Sequence, residues 1–99
     1  MTLDLFSLKG RTALVTGASS GLGQHFARVL AGAGARVAVA ARRLDRLEAL
    51  VEDILAKGGE AAAVPLDVTK PESVVQAFDA AESAFGPVMV LVNNAGVPS

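Results

Sequence analysis

The sequence predicts an α/β fold, a doubly wound parallel sheet built as β-α-β-α-β-α-β, and three observations carry that prediction. Four short, nearly continuous apolar runs have the composition of parallel strands buried on both faces. The segments between them repeat their apolar residues at helical spacing. A group of glycines stands at the first junction of strand and helix, where such a sheet binds its ligand. No fixed-period repeat, low-complexity tract or linker divides the 99 residues, so they are expected to form one unit.

Thr12 to Thr16 is the first predicted strand. Leu22, Phe26, Val29, Leu30 and Ala33 then fall on one helical stripe, with Gly34 placed to end it. Arg36 to Ala41 is the second strand. The second helix puts Leu47, Leu50, Val51, Ile54 and Leu55 on one face, with Asp45 as its cap and Lys57-Gly58-Gly59 as its end. Ala61 to Pro65 is the third strand. It leads to a helix with a Thr69/Glu72 capping box, Pro71 in the first turn, a stripe of Val74, Phe78, Ala81 and Phe85, and a stop at Gly86-Pro87. Val88 to Asn93 is the fourth strand. Alternation of this kind places helices on both faces with right-handed crossovers, and the expected strand order is 3-2-1-4.

Composition narrows the function. With 52% hydrophobic residues, 19% charged and a mean hydropathy of +0.45, the chain has enough apolar surface to fold and is unlike a disordered segment. It has no Cys and one His, His25, so neither a disulfide scaffold nor a thiolate or histidine metal centre is expected. Its apolar runs are too short to span a membrane, and MTLDLFSLKG is not patterned as a secretory leader, so a soluble cytoplasmic protein is expected. Residues 1–46 carry a net +5 and the remainder −6. The basic residues are dispersed and not interleaved with aromatics, which argues for a local anion site and against a nucleic-acid face.

That anion site is placed by Thr16-Gly17-Ala18-Ser19-Ser20-Gly21-Leu22-Gly23. A strand turning sharply into a helix needs no Cβ at Gly17, and a diphosphate approaching the backbone needs none at Gly21. Gly23 is expected to let the helix pack close to the sheet. Free N–H groups at the helix start, reinforced by the helix dipole, then face the phosphates, and Ser19 and Ser20 can add hydroxyl donors. The fold so described is the first half of a Rossmann fold.

At these residues the sequence resembles the short-chain dehydrogenase/reductase family. Its glycine motif T-G-x-x-x-G-x-G is matched by Thr16 to Gly23, and its N-N-A-G motif by Asn93-Asn94-Ala95-Gly96. A third element, an Asp after the third strand, is matched in Leu66-Asp67-Val68, so the resemblance runs from about Leu8 to Gly96. It implies that Gly17, Ser19, Ser20, Gly21, Leu22 and Gly23 bind the cofactor. It further implies that Asp67 and Val68 meet the adenine, and that Asn94, Ala95 and Gly96 line the ribose side while the Asn side chains brace the central strands.

Cofactor choice follows from the end of the second strand. An NAD site carries an acidic residue there, about 20 residues beyond the glycines, to hold the ribose hydroxyls. This chain has Ala41, followed by Arg42 and Arg43, whose guanidinium groups can pair with a 2′-phosphate. NADP(H) is therefore expected over NAD(H).

The resemblance implies hydride transfer between a small-molecule carbonyl and an alcohol in a homo-oligomeric enzyme. In the family, Tyr acts as the acid/base, assisted by Lys, Ser and Asn, all beyond the N-N-A-G strand. The chain contains no Tyr, so no catalytic residue is assigned, and the 99 residues read as an N-terminal cofactor-binding portion, inactive alone. The alternatives are a stand-alone nucleotide-binding or scaffold module without catalysis, and a half-domain that pairs with another chain through its fourth strand.

Overall fold

The computed structural model describes residues 8–94. Seven elements follow in the order β1 Thr12–Thr16, α1 Gly21–Gly32, β2 Arg36–Ala41, α2 Asp45–Ala56, β3 Glu60–Pro65, α3 Pro71–Phe85 and β4 Val88–Asn93. Every strand pair is parallel, and the order across the sheet is β3-β2-β1-β4, as the alternation of elements predicts. The chain leaves β1 toward β2 and β3 and returns on the other side of β1 as β4. This reversal sets the point in a doubly wound sheet where a crevice opens beyond the strand ends.

Two apolar layers cover the sheet. Ala13, Val15, Val37 and Val39 point into one, with Ala27 of α1 and Leu47, Leu50 and Ile54 of α2. Leu14, Ala38, Ala40 and Val64 point into the other, against Ala77 and Ala81 of α3. Alternate residues of one strand thus enter opposite layers, which is why β1 and β2 read as continuous apolar runs. β3 and β4 depart from the expectation of burial on both faces. They are the edges of the described sheet, and Met89 and Leu91 of β4 are 59% and 50% exposed.

Pairing between β1 and β4 is irregular. Thr12 lies opposite Val88 but Ala13 opposite Val90, so Met89 is an extra residue bulged out of register. The start of β4 is held by neighbours on either side of the bend: the Thr12 hydroxyl donates to the Phe85 carbonyl at 2.9 Å, and the Val88 N–H to Glu82 Oε2 at 3.0 Å. Beyond the bulge, Val90 and Val92 face the α1/α2 layer.

The helices correct several expectations. In α1 the packed stripe is Gly23, Phe26, Ala27, Leu30 and Ala31, whereas Leu22 and Val29 are about half exposed. Small residues at 23 and 27 let this helix lie close to the layer below, turning the larger Leu22 and Val29 outward. In α2, Leu55 is likewise exposed, and Leu47, Leu50 and Ile54 carry the contact. Asp45 does not cap α2. Leu44 already has helical backbone angles, so Asp45 lies inside the first turn, where its carboxylate accepts from Arg43 instead.

The Thr69/Glu72 capping box does not form either. Asp67 Oδ1 accepts from the Thr69 N–H at 3.0 Å and from its hydroxyl at 2.6 Å, and the Asp67 N–H donates to Ser73 Oγ at 2.8 Å. An Asp side chain closing on the backbone two residues ahead competes with capping by Thr69 and leaves Lys70 at the cap position. Pro71 occupies the first turn as predicted.

Candidate functional site

The turn after β1 is built around one left-handed residue. Gly17 has φ +63°, a conformation that an L side chain disfavours, and it sends the chain directly into α1. The Ala18 N–H donates to the Ala40 carbonyl at 3.1 Å and thereby ties the turn to the end of β2.

Ser20 is the cap of α1 and the centre of a small network. Its hydroxyl donates to the Gly17 carbonyl at 3.0 Å and accepts from the Gly23 N–H at 3.1 Å and the Asn94 side-chain amide at 2.9 Å. A hydroxyl has one proton and two lone pairs, so Ser20 is saturated within the protein. In this structure the Ser20 proton is directed to Gly17, and the hydroxyl positions the turn. Asn94 is buried and also donates to the Gly17 carbonyl at 3.2 Å, while its N–H donates to the Thr16 hydroxyl at 3.0 Å. The Thr16 hydroxyl donates in turn to Asn93 Oδ1 at 3.1 Å. The asparagines therefore brace β1 against β4.

Gly23 serves this network. A Cβ there would lie 2.4 Å from the Gly17 carbonyl oxygen, 2.9 Å from Ala18 Cα and 3.0 Å from the Asn94 amide nitrogen. The close approach expected between helix and sheet is thus made to the turn itself. Gly21 differs, for a Cβ would meet nothing within 4 Å. The backbone N–H groups of Ser19, Gly21 and Leu22 find no acceptor among the described residues, the usual state of a helix start and the feature that draws anions.

Next to this turn lies a cavity of about 630 Å³, lined by Gly17, Ser19, Ala41, Arg42, Arg43, Arg46, Leu66 and Val68. Of the residues predicted from sequence, Gly17, Ser19, Arg42, Arg43 and Val68 meet on its wall. Ser20, Gly23 and Asn94 support the turn from behind. Asp67 is not on the wall, although both its neighbours are. Its bonds from Thr69, foremost that of the hydroxyl, hold its carboxyl below the ordinary aspartate range, and the nearby charges of Arg42 and Lys70 act in the same direction. Ala95 and Gly96 lie outside the described residues. The Leu66 N–H donates to the Ala41 carbonyl at 3.0 Å, which brings the ends of β2 and β3 level on this wall.

Arg46 and Leu66 are cavity residues that the sequence alone does not assign to the site, and of the two Arg46 carries charge. A signal was present, since a cation in the first turn of a helix opposes the helix dipole and calls for another reason to be there.

Comparison with known proteins agrees with this geometry. Residues 11–99 match the family model for short chain dehydrogenase. The chain belongs to the short-chain dehydrogenase family. A short chain dehydrogenase of Pseudocercospora fijiensis is 43% identical over 90 residues, and the gluconate 5-dehydrogenase of Gluconobacter oxydans 42% over 94. These matches cover 91% and 95% of this chain but 29% and 37% of the relatives, so it spans about a third of their length. Among solved structures, a metagenomic short-chain oxidoreductase in complex with NADP superposes with a TM-score of 0.85 at 43% identity, covering 92% of this chain and 41% of that one. A hydroxysteroid dehydrogenase from Escherichia coli gives a TM-score of 0.85 at 37% identity, covering 91% and 38%. The fold is thus that of a family of oxidoreductases. No helix among the described residues is long and apolar enough to cross a membrane.

Proposed function

We propose that this chain binds NADP(H) and is the cofactor-holding part of an oxidoreductase that interconverts a small-molecule carbonyl and an alcohol. The observation that carries the cofactor choice is the end of β2. Ala41, 6% exposed, lines the cavity where a carboxylate would hold the ribose of NAD, and Arg42 and Arg43 follow on the same wall. The complex of a 43% identical relative with NADP supports the same reading.

The residues present fit the cofactor. Guanidinium groups line the cavity at one end, unpaired N–H groups stand at the helix start, and apolar Leu66 and Val68 offer a surface for a base. The helix start and Ser19 would hold the diphosphate, and Val68, with Asp67 behind it, the adenine. Asn94, with Ala95 and Gly96, would border the ribose. When bound, the cofactor donates or accepts the hydride. The residues of this chain bind and orient it. With no Tyr in the sequence, the proton donor is not among these 99 residues, which are read as inactive alone. Titration of NADPH and NADH into the intact protein and its Arg42→Ala variant tests the proposal, since only NADPH binding should suffer.

A further inference from the structure

We infer that Arg46, rather than Arg43, is the partner of Arg42 in holding the 2′-phosphate; this rests on the NADP(H) reading above. Arg43 is the sequence neighbour and the obvious choice, but its Nη2 lies 3.2 Å from Asp45 Oδ2, so its guanidinium already has a carboxylate. An anion recruiting Arg43 would have to displace that partner or bring a dianion close to Asp45.

Arg46 has no such partner. Among the described residues its guanidinium makes no hydrogen bond or ion pair. Nor does the helix provide one, because the positions three and four residues away are Arg43 and Arg42 on one side and Ala49 and Leu50 on the other. It sits in the first turn of α2, where the dipole disfavours a cation. The dipole and the like charges of Arg42 and Arg43 oppose a positive charge at this position, and the carboxylates of the same turn, Asp45 and Glu48, make no bond to it among the described residues. An arginine placed there gains a purpose if an anion enters the cavity that its side chain lines.

The chemistry of a phosphate monoester suits two such groups. It carries between about −1.5 and −2 at neutral pH and presents three acceptor oxygens, and planar guanidinium forks engage those oxygens in pairs. Arg42 enters from the end of β2 and Arg46 from α2, so the two approach the phosphate from different elements.

The test uses calorimetry on the intact protein with 2′-AMP and 5′-AMP as probes, alongside NADPH and NADH. Arg46→Ala should weaken 2′-AMP and NADPH about tenfold or more, the scale of one charge-assisted hydrogen bond. Binding of 5′-AMP and NADH should be unchanged. Arg46→Lys, which keeps the charge but not the fork, should recover part of the loss, and Arg43→Ala should cost less than Arg46→Ala. Arg46 is exposed and unpartnered, so its removal leaves the fold intact. If Arg46→Ala binds 2′-AMP as the parent does while Arg42→Ala is weakened, the inference is overturned and the NADP(H) reading stands. Equal losses for Arg43→Ala and Arg46→Ala would overturn the choice between them. A parent protein that binds 2′-AMP no more tightly than 5′-AMP would refute the cofactor reading, and this inference with it.

Discussion

The side-chain amide of Asn94 donates to the hydroxyl of Ser20 at 2.9 Å, joining residues 74 positions apart at the point where β4 ends and α1 begins. Through that oxygen and the Gly17 carbonyl, which accepts from the same amide at 3.2 Å, the end of β4 is tied to the glycine turn. The cap of α1 and the end of β4 therefore share one hydrogen-bond network.

Loss of this bond should be felt as coupling. Ser20→Ala removes a helix cap and leaves the buried Asn94 amide short of an acceptor, with an expected cost of about 1–3 kcal/mol. Asn94→Ala should cost a similar amount, and the double variant less than the sum, with an interaction of about 0.5–3 kcal/mol. Urea unfolding of the four proteins checks this, and strict additivity would mean the two side chains act independently.

For cofactor choice, Arg42→Ala should weaken NADPH binding by about 1.5–3 kcal/mol and leave NADH nearly unchanged. Ala41→Asp should move preference toward NADH, because the new carboxylate bonds the ribose and repels a 2′-phosphate. Equal losses for both cofactors would remove Arg42 from the site.

The two glycines of the helix start should behave in opposite ways. Gly21→Val, in open space with an ordinary φ, should leave the fold standing and abolish dinucleotide binding, as a side chain there blocks the approach of the diphosphate. Gly23→Ala should destabilise by about 1–3 kcal/mol or more, because its Cβ meets backbone atoms that cannot move without opening the turn. Thermal melts and calorimetry on both variants separate the two roles.

Part of the acid sensitivity should trace to Asp53, Asp67 being the other carboxyl held below the ordinary range among the described residues. Asp53 accepts from Arg28 Nε at 3.0 Å and Lys57 Nζ at 3.2 Å, and these bonds, that of Arg28 first, lower its pKa from the ordinary value. A depressed carboxyl stabilises the fold above its unfolded pKa, and the contribution disappears as pH falls through the lower folded value. Asp53→Asn should thus flatten stability against pH below about pH 4, the ordinary aspartate range, with little change in slope near neutrality. An unaltered acid limb in urea melts would show that the pair is fully screened.

The 99-residue chain made alone should show no dehydrogenase activity and should self-associate. Among the described residues β4 is an apolar edge without charge, with Met89 and Leu91 exposed, and such edges pair with other chains. Leu91→Lys should reduce the association. Sedimentation and an NADPH oxidation assay test both statements, and a soluble monomer that turns over carbonyl substrates would refute them.

Much of this was legible because strands and glycine turns are local. The bounds of β1, β2 and β4 follow from apolar runs, and the φ of Gly17 from its place between strand and helix. What was not legible depends on distant partners. Thr69 has the spacing of a cap, but Asp67 reaches its hydroxyl first. Leu22 and Val29 fit a helical stripe, but the small residues at 23 and 27 decide which side meets the sheet. Nothing in the sequence near Ser20 shows that Asn94 arrives behind it and shares its hydroxyl. Arg46 was passed over because one cation in a basic segment looks like any other until the cavity shows where it stands.

The bulge at Met89 gives the chain unequal tolerance to changes in length. Residues after it, from Val90 to Asn93, are in strict register with Ala13 to Thr16, and Asn94 is the next step. Removing Met89 would take up slack and leave Asn94 within reach of Ser20. Removing Val90 would let Met89 take its place, whereas removing a residue from Leu91 to Asn93 can draw on the same slack only by advancing the residues before the gap by one strand step, roughly 3.3 Å, which reverses the side on which their side chains fall. A deletion scan along β4 should therefore find Met89 and Val90 permissive and Leu91 to Asn93 not, and length polymorphism should concentrate at the start of the strand.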